Sequence, residues 1–339
     1  MVNLDWKNLP FGYEKTNYNV RCYYRNGAWG ELEISSSETI NLHMAATALH
    51  YGQEAFEGLK AYRGKDDKIR LFRVEENAKR MASTAAYISM AQPPVDLFTK
   101  AVKTVVSLNK EFVPPYESGA TLYVRPLLIG SGPQVGVKAA NEFLFLVFVT
   151  PVGPYYKKGI APIDAVIERL SDRAAPLGTG HIKVGGNYAA SLPAQDRAHK
   201  LGYAISIYLD AREKKYIDEA GTSNFFGIKN NTYITPESHS ILPSITNMSL
   251  MQLAEHLGMK VERRQIAVDE LHTFEEAGAC GTAAVISPIN KIDDIENNKT
   301  YSYCTDCKPG PVCVKLFENL TGIQYGNLPD VFNWVSVLE

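Results

Sequence analysis

Short stretches in which apolar and polar residues alternate occupy the first part of the chain. The runs YNVRCYY, ELEIS and LKAYRG show this period of two and predict β-strands. Asn26-Gly27 lies between the first two runs and predicts a two-residue hairpin turn, because both residue types tolerate a positive φ. We therefore expect a small sheet between Trp6 and Tyr62.

The pattern then changes to a helical period in two consecutive segments. The first has apolar residues at spacings of three and four, namely Val74, Ala78, Met81, Ala82, Ala85 and Ile88. In the second segment Asp96 is a candidate N-cap, and Pro114-Pro115 provide a stop signal. Its predicted buried stripe consists of Leu97, Ala101, Val105, Leu108 and Phe112. Two helices are expected after the sheet.

Two longer strands and a proline-rich segment follow. TLYVRPLLIG and EFLFLVFVT read as strands, and the second is apolar throughout, which is typical of a strand buried on both faces. PVGPYYKKGIAP contains three prolines and two glycines, so residues 151–162 are the best candidate for a linker. This predicts a smaller α+β domain over residues 1–150 and a larger domain over residues 163–339.

The second half alternates helical and strand-like segments without an internal repeat. NYAASLPAQDRAHKLG, the segment through Met251 and Leu257, and the segment through Val314 and Leu320 predict helices. AISIYLD, NFFGIKN and KVERRQIAV read as strands, and a short helix is expected near ELHTFEEA, before the segment CGTAAVISPI, which opens with a small-residue turn. The absence of a period of 20 to 50 residues argues against a solenoid or a propeller.

Composition restricts the class of protein. With 45% apolar and 21% charged residues, the 339-residue chain has the balance of a folded globular protein. The net charge of −2 gives no general attraction for nucleic acid or an acidic membrane surface. The N-terminal residues lack the features of a signal or transit peptide, and no apolar run is long enough to span a membrane, so we expect a cytoplasmic protein.

The five cysteines do not suggest a secreted disulfide framework, because their number is odd. Cys304, Cys307 and Cys313 form a cluster that leaves three interpretations open. It could be part of a zinc site, a regulatory disulfide or a reduced loop, and the missing fourth ligand favours the last.

Several common catalytic motifs are absent. The chain has no Walker A loop, no G-x-G-x-x-G opening a helix and no H-E-x-x-H, and Ser131 lacks the surroundings of a hydrolase nucleophile. The seven histidines are scattered, with none at metal-ligand spacing. Nucleotide, zinc and serine-triad chemistry are therefore disfavoured.

The remaining candidates are one lysine and several small-residue turns. Lys183 stands between glycines in GTGHIKVGGNY, where an ordinary surface loop is the simple alternative. ILPSITN predicts a strand-like Ile241-Leu242 followed by a helix whose Ile245 and Thr246 amides could bind an anion, although Ser244 could also be a plain N-cap. Thr282 offers a hydroxyl in a second turn. Arg80 could be either a solvated residue or a phosphate ligand.

Glu219 gives this set a chemical meaning. Alone it would be a turn residue before Gly221. Pyridoxal phosphate, however, requires a lysine for a Schiff base, an acid that keeps its ring nitrogen protonated and a site for its phosphate. Lys183, Glu219 and the Ile245 and Thr246 amides would meet these three requirements.

Periodicity alone does not bring this set of residues together; a resemblance carried by five strings in order does. YGQEAFEGLKAYR, LYVRPLLIG, KVGGNYAAS, EAGTSNFF and CGTAAVISPI together resemble the branched-chain amino acid aminotransferases of the fold-type-IV pyridoxal phosphate family. The resemblance covers nearly the whole chain. It implies an α+β, D-amino acid aminotransferase-like fold with a smaller N-terminal domain and a larger C-terminal pseudo-barrel domain.

The resemblance also implies roles for individual residues. Lys183 would carry pyridoxal 5'-phosphate and act as the proton shuttle, Glu219 would contact the ring nitrogen and Tyr188 the ring hydroxyl. The phosphate ligands would be Arg80, the amides of Ile245 and Thr246, and Thr282. The residues expected to bind substrate are Tyr51, Phe56, Tyr123, Arg125, Val135, Val137, Tyr155, Thr222 and Ala283.

The implied reaction is a reversible ping-pong transfer between L-leucine, L-isoleucine or L-valine and 2-oxoglutarate, giving branched 2-oxo acids and L-glutamate. The implied assembly is a homodimer in which the loop carrying Val135 and Val137 reaches the partner's pocket. Mammalian relatives have a C-x-x-C where this chain has Ala284 and Ser287, so that redox switch is not expected. Asn247 stands where relatives often have a basic residue.

Two rival functions remain open at this point. A D-amino acid aminotransferase or an aminodeoxychorismate lyase would share the fold and the cofactor. A non-catalytic phosphate-binding module would use Lys183 only as a loop residue.

Overall fold

A computed structural model describes Val2, residues 4–156 and residues 159–338. The strands are β1 (Asn19–Arg25), β2 (Ala28–Trp29), β3 (Glu33–Ser35), β4 (Glu54–Phe56), β5 (Leu59–Arg63), β6 (Ile69–Phe72), β7 (Thr121–Gly130), β8 (Phe143–Val152), β9 (Ile163–Glu168), β10 (Ile205–Leu209), β11 (Ile217–Ala220), β12 (Ser223–Lys229), β13 (Thr232–Pro236), β14 (Lys260–Arg264), β15 (Glu276–Gly281), β16 (Val285–Asp294), β17 (Lys299–Ser302) and β18 (Val335–Leu338). The α-helices are α1 (Thr47–Tyr51), α2 (Val74–Tyr87), α3 (Val95–Leu108), α4 (Gly185–Lys200), α5 (Ile245–His256) and α6 (Pro311–Tyr325). Short 3₁₀-helices cover Lys110–Phe112, Tyr116–Ser118, Thr179–His181 and Val268–Thr273.

The chain divides into two compact units. Unit 1 comprises Met1–Tyr155, Ile182–Gly185 and Gly322–Glu339, and unit 2 comprises Tyr156–His181 and Gly186–Thr321. The passage from unit 1 to unit 2 at Tyr155 falls within the predicted linker, in which Lys157 and Lys158 lie outside the described residues. Two segments that the sequence placed in the larger domain, one of them carrying Lys183, group with unit 1.

Unit 1 is built on an antiparallel sheet of nine strands. Its main order is β18-β6-β5-β7-β8-β1-β2, with β3 paired to β1 and β4 paired to β7. The predicted hairpin is present, because Arg25 pairs with Ala28 and the two residues between them, Asn26 and Gly27, have φ values of 52° and 81°. These values match the positive φ at both central residues that a tight, right-handedly twisted hairpin requires.

The alternation of side chains along β8 explains why this strand is apolar throughout. Phe143, Phe145 and Val147 face a core that includes residues of α2 and α3. Leu144 and Leu146 point to the other face of the sheet, where they pack in a second cluster. The prediction of a strand buried on both faces is confirmed by this arrangement.

Helices α2 and α3 cover the first of these faces. Val74, Ala78, Met81 and Ala85 are buried along α2, in agreement with the predicted stripe. The predicted start of the next helix was wrong: α3 begins at Val95 after Pro94, whose carbonyl accepts the Phe98 amide at 2.9 Å. Asp96 lies in the first turn instead, where its charge still favours the helix dipole. The residues buried along α3 are Phe98, Ala101, Val102, Val105 and Val106, so the stripe is shifted from the predicted one.

Unit 2 contains a closed barrel. Strands β11, β10, β9, β16, β15 and β12 follow one another, and β12 pairs back onto β11, which closes a ring of six strands. β9 pairs in parallel with β10 and β16, while the other pairings in the ring are antiparallel. Strands β13, β14 and β17 extend the sheet outside the ring. The α+β class and the C-terminal pseudo-barrel are thus confirmed.

Most predicted elements of unit 2 are present, with one difference in front of α5. Ile241 and Leu242 are not in a strand but in an irregular segment that leads to Ser244. The short helix expected near residue 270 is a 3₁₀-helix. Within the described part of the chain, no helix combines the length and apolar character needed to cross a membrane.

Candidate active site

The segment carrying Lys183 is fixed by backbone contacts within unit 1. The Lys183 amide donates to Thr84 Oγ1 at 3.1 Å, and the Lys183 carbonyl accepts the Phe56 amide at 3.2 Å. Two residues later, the Gly185 amide donates to the Glu54 carboxylate. The segment is therefore an ordered connection attached to α2 and β4, unlike the flexible loop that was the simple alternative.

The Lys183 side chain lies against an aromatic ring. Its Nζ is 4.8 Å from the centroid of Phe56, a distance suited to a cation–π contact. Nearby Glu54 is largely buried, and this burial raises its pKa, although the Gly185 amide and Arg125 partly oppose the rise. The partly buried lysine side chain thus lies beside an aromatic wall.

Arg125 and Tyr123 belong to the same cluster because they are two residues apart on β7 and share one face. Arg125 Nη2 donates to the Tyr123 hydroxyl at 3.2 Å, and the guanidinium lies 4.9 Å from the Phe56 centroid. Among the described residues, no hydrogen-bond acceptor contacts the buried Nε of Arg125. A guanidinium with a buried, unused donor is suited to binding a carboxylate.

Gly58 makes room for this cluster. A Cβ at Gly58 would collide with the Tyr123 hydroxyl, so a larger residue would displace the tyrosine. This close approach accounts for the glycine in the FEGLK string.

Arg80 is held by a carboxylate that sequence reasoning missed. Its Nε and Nη2 donate to the two carboxylate oxygens of Glu57 at 2.7 and 2.8 Å. Glu57 is fully buried and also accepts from Asn77 Nδ2 at 2.8 Å. The predicted phosphate ligand is therefore fixed in orientation by an ion pair. Glu57 lies in the string EAFEGLK beside other charged residues, so the sequence offered no clear signal for it.

Tyr51 and the loop between β7 and β8 form an apolar patch on unit 1. The Tyr51 hydroxyl donates to the Val135 carbonyl, and the Gln134 amide donates to the Ala45 carbonyl at 2.8 Å. The apolar patch consists of Met44, Leu49, Tyr51, Val135 and Val137, which are 82, 62, 44, 79 and 88% exposed. Tyr155, at the end of unit 1, is also exposed.

In unit 2, Glu219 occupies a row across three barrel strands. It pairs in register with Asn224 of β12, which pairs with Cys280 of β15. Glu219 is 2% exposed, and its Oε1 accepts the Leu242 amide, while Asn224 Nδ2 donates to the Leu242 carbonyl at 3.1 Å. Through these hydrogen bonds, the segment before α5 is held against Glu219 and Asn224.

Arg173 is the second residue that sequence reasoning missed. Its Nε lies 2.9 Å from Glu219 Oε2, and both side chains are almost fully buried. The polar segment SDRAAP around Arg173 carries no pattern that would have distinguished this arginine from a solvated one.

The start of α5 combines both interpretations of ILPSITN. Ser244 is the N-cap, and its side chain accepts the Asn247 amide at 3.2 Å. This cap does not take up the amides of Ile245 and Thr246, whose N–H groups lie in the first turn and point out of the N-terminal end of the helix. The positive end of the helix dipole is therefore available for an anion.

Thr282 and Ala283 lie in the turn between β15 and β16. Gly281 pairs with Val285, so Thr282, Ala283 and Ala284 form a three-residue connection. Val285 has a φ of 65°, which is unusual for a β-branched residue and indicates local strain at this turn. Thr222 lies in the turn between β11 and β12, at the same end of these antiparallel strands.

The structure thus brings the candidates together in two groups. Lys183, Phe56, Tyr123 and Arg125 cluster in unit 1, and Glu219 and the start of α5 cluster in unit 2. Tyr188 lies half-buried in the first turn of α4. The roles of all these residues stay predictions.

Of the cysteines, Cys280 lies near Glu219, in the row that crosses the barrel strands. All five are free thiols, and burial raises the pKa of Cys280 to about 12. Burial also raises the pKa of Cys313 well above its ordinary value. Cys304 and Cys307 lie in the connection between β17 and α6, where Cys307 is exposed.

Comparison with known proteins identifies the class to which this fold and these residues belong. Residues 54–292 match the family described as amino-transferase class IV. The chain belongs to this family, whose members are transaminases that use pyridoxal phosphate.

Individual relatives agree with this assignment. A branched-chain-amino-acid aminotransferase of Haemophilus influenzae is 48% identical over the whole of both chains. The branched-chain amino acid aminotransferase of Thermobaculum terrenum in its pyridoxal phosphate form is 25% identical, with a TM-score of 0.78 and coverage of 96% of this chain and 99% of that one. The branched-chain amino acid aminotransferase from Escherichia coli is 26% identical, with a TM-score of 0.76 and coverage of 95% of this chain and 99% of that one.

The residues present fit the cofactor of the family. A lysine with an ordered backbone, a buried carboxylate and a helix start with available amides correspond to the aldehyde, the ring nitrogen and the phosphate of pyridoxal phosphate. The fit depends on the donor and acceptor types of this chain and on the contacts that fix them.

Proposed function

We propose that the protein is a branched-chain amino acid aminotransferase that exchanges the amino group between L-leucine, L-isoleucine or L-valine and 2-oxoglutarate in a ping-pong cycle. The observation that carries this proposal is the cluster of Lys183, Phe56 and Arg125. It places an amine, an aromatic wall and a cation with a buried, unused donor side by side. An amino acid with an apolar side chain and a carboxylate requires these three surroundings.

The cofactor would be held by the residues that the resemblance assigns to it. Lys183 is the residue that would bind it covalently, and Tyr188 would donate to its ring hydroxyl. Arg80, Thr282 and the amides of Ile245 and Thr246 would bind the phosphate. Arg80 has a fixed orientation because Glu57 holds its Nε and Nη2.

When bound, pyridoxal phosphate supplies an aldehyde that takes up the amino group and a ring that withdraws electrons from the substrate α-carbon. Lys183 Nζ would take the proton from the substrate Cα. This requires a neutral amine, which low water content and nearby positive charge favour. Glu219 holds a proton on the ring nitrogen.

The substrate would be held mainly by aromatic and polar residues of unit 1. Arg125 and the Tyr123 hydroxyl would bind a carboxylate, and Phe56 and Tyr155 would contact the side chain. The second carboxylate of glutamate or 2-oxoglutarate would need one of the polar groups of the pocket, so that one site accepts both substrate types. Thr222 and the Ala283 amide complete the proposed set.

We also propose that the protein is a homodimer. The apolar patch is exposed on unit 1 and contains the two most exposed valines named among the substrate residues. In a dimer, Val135 and Val137 would contact the partner's site. A cytoplasmic location stays a prediction of the sequence.

The first experiment is to follow the visible absorbance of the purified protein with pyridoxal phosphate. We expect L-leucine to convert the bound cofactor to its amine form and 2-oxoglutarate to reverse the change, while D-leucine has no effect. A response to D-leucine alone would favour the D-amino acid aminotransferase. Absence of any bound, coloured cofactor would favour the non-catalytic phosphate-binding module.

Borohydride reduction followed by mass spectrometry tests the lysine directly. We expect the cofactor mass on the peptide that contains Lys183. Lys183→Ala should lower turnover by at least ~10²-fold, the order of magnitude of lost acid–base catalysis. Lys200→Ala, at an exposed position of α4, is the matched control and should retain activity. Retained turnover in Lys183→Ala would reject the catalytic role.

A further inference from the structure

Arg173 is placed so that its charge acts on Glu219. Its Nε contacts Glu219 Oε2 at 2.9 Å. Its Nη1 donates to the carbonyls of Gly180 and Ser240 at 3.1 and 2.6 Å, and its Nη2 donates to Gly180 at 3.2 Å. The guanidinium is therefore fixed by two neutral carbonyls and one carboxylate, and of these three partners Glu219 alone carries a negative charge.

The other charged or titratable groups around this pair are few. Asp218, the neighbour of Glu219 on β11, is buried, and burial raises its pKa while the hydrogen bonds of Ser240 and Ser238 oppose the rise. Arg173 lowers the pKa of Asp218 only through its longer-range charge. Tyr208 and Cys280 also face the pair, and burial raises the pKa of both, so both are neutral at physiological pH.

The position of a proton shared with Glu219 depends on the charge of this carboxylate. A proton between a carboxylate and a ring nitrogen can rest on either group. A cation in direct contact with the carboxylate stabilises the ionised carboxylate. It disfavours the positive charge of a protonated ring nitrogen less, because that nitrogen is farther away and the interaction falls with distance. Removal of the cation therefore shifts the proton toward the carboxylate.

We propose that Arg173 is a positioning residue that keeps Glu219 ionised and thereby keeps the shared proton on the ring nitrogen of the cofactor. This inference rests on the proposed function, in which Glu219 contacts that nitrogen. Arg173 does not touch the reacting atoms. Its effect is on the electron-withdrawing power of the ring, because a protonated ring withdraws electrons more strongly than a neutral one.

The test is the ¹⁵N NMR resonance of the ring nitrogen in holoenzyme loaded with ¹⁵N-labelled cofactor. We expect Arg173→Gln to move the resonance toward that of an unprotonated pyridine and to lower kcat about tenfold with little change in KM. Arg173→Lys retains the charge and should stay close to the wild type. If Arg173 were only a structural support, the Lys and Gln variants would show equal displacement, which would overturn the inference.

Arg169→Gln is the matched control. Arg169 forms a comparable ion pair with buried Asp294 at 2.7 Å in the same unit, so its loss reports the general effect of breaking such a pair. The ring-nitrogen resonance of the Arg169→Gln holoenzyme should equal that of the wild type. If Arg173→Gln does not fold, Arg173→Lys still decides, since a resonance displaced from the wild-type position would reject the role of charge.

Glu219→Gln separates failure of the inference from failure of the proposed function. If Glu219→Gln displaces the resonance and Arg173→Gln does not, Arg173 has no role in placing the proton. If neither variant displaces it, Glu219 does not contact the ring nitrogen, and that part of the proposed function is wrong.

Discussion

Lys60 is a single charged residue whose burial near the site costs folding free energy. It lies on β5 directly opposite Tyr123 of β7, and opposite residues of an antiparallel pair share a face. Its neighbours Leu59 and Ala61 belong to the core on the other face. Lys60 is therefore a buried cation on the face that carries Tyr123 and Arg125, and burial lowers its pKa from 10.5 to about 8.

The lowered pKa predicts a pH-dependent stability. Between pH 8 and 10.5 the unfolded chain binds a proton on Lys60 that the folded protein has lost, so stability should rise with pH through this window. The gain is at most roughly 3.5 kcal/mol, at about 1.4 kcal/mol per pH unit between the two pKa values. We expect the melting temperature of holoenzyme to rise from pH 8 to 10 relative to that of Lys60→Met. Parallel pH profiles for the two proteins would contradict this prediction.

The ion pairs that hold Arg80 and Glu219 could not be predicted from the sequence. Glu57 and Arg80 are 23 positions apart, and Arg173 is still more distant from Glu219 along the chain. Local period and spacing report only neighbours within a few residues, whereas these pairs depend on the fold. The resemblance supplied Arg80 and Glu219 but not the groups that hold them.

At the scale of elements, pattern predicts those structures that depend on local burial. The period of two and the β-branched residues of β7 gave its bounds, Thr121–Gly130, directly. The start of α3 was misplaced because Asp96 has the usual chemistry of an N-cap, whereas the two prolines before Val95 already set an extended entry into the helix. The barrel strands are short. The period of two within so few residues does not predict which strands pair to close the barrel.

The lysine segment depends on β4 as an element, and Glu54 tests this dependence. Glu54→Ala removes the acceptor of the Gly185 amide, and an unsatisfied buried donor costs ~1–3 kcal/mol. We expect this variant to melt at a lower temperature and to trap less cofactor on Lys183 after borohydride reduction. Glu54→Gln retains an acceptor oxygen and should lie close to the wild type. Equal losses in both variants would mean that the charge of Glu54, and not its hydrogen bond, is what matters.

At the scale of the whole molecule, the resemblance predicted more than periodicity did. The C-terminal barrel followed from five strings in order, since β9, β10 and β16 are recruited from distant parts of the chain. The bounds of the two units were harder to predict from the sequence. Ile182–Gly185 groups with unit 1 because Lys183 and Gly185 bond to Thr84, Phe56 and Glu54, contacts that no sequence pattern reveals.

Assembly is the property of the whole molecule that the apolar patch predicts. Val137 is 88% exposed in this patch, and an exposed apolar cluster is typical of an interaction surface. In a homodimer formed through it, Val137→Asp would bury an unpaired charge, which is strongly unfavourable. We expect this variant to weaken dimerisation by at least ~10²-fold, equivalent to about 3 kcal/mol, and to lose activity in proportion to the monomer.

Light scattering coupled to size-exclusion chromatography over a range of concentrations provides the measurement. Val331→Asp is the control, because Val331 is 58% exposed in unit 1 but lies outside the patch. It should keep the wild-type mass and activity. A Val137→Asp protein that remains dimeric with full activity would place the interface elsewhere. If the variant stays dimeric but loses activity, Val137 contributes to substrate binding, and the patch is not the main source of dimer stability. The two conclusions are separate because they depend on different contacts of one side chain.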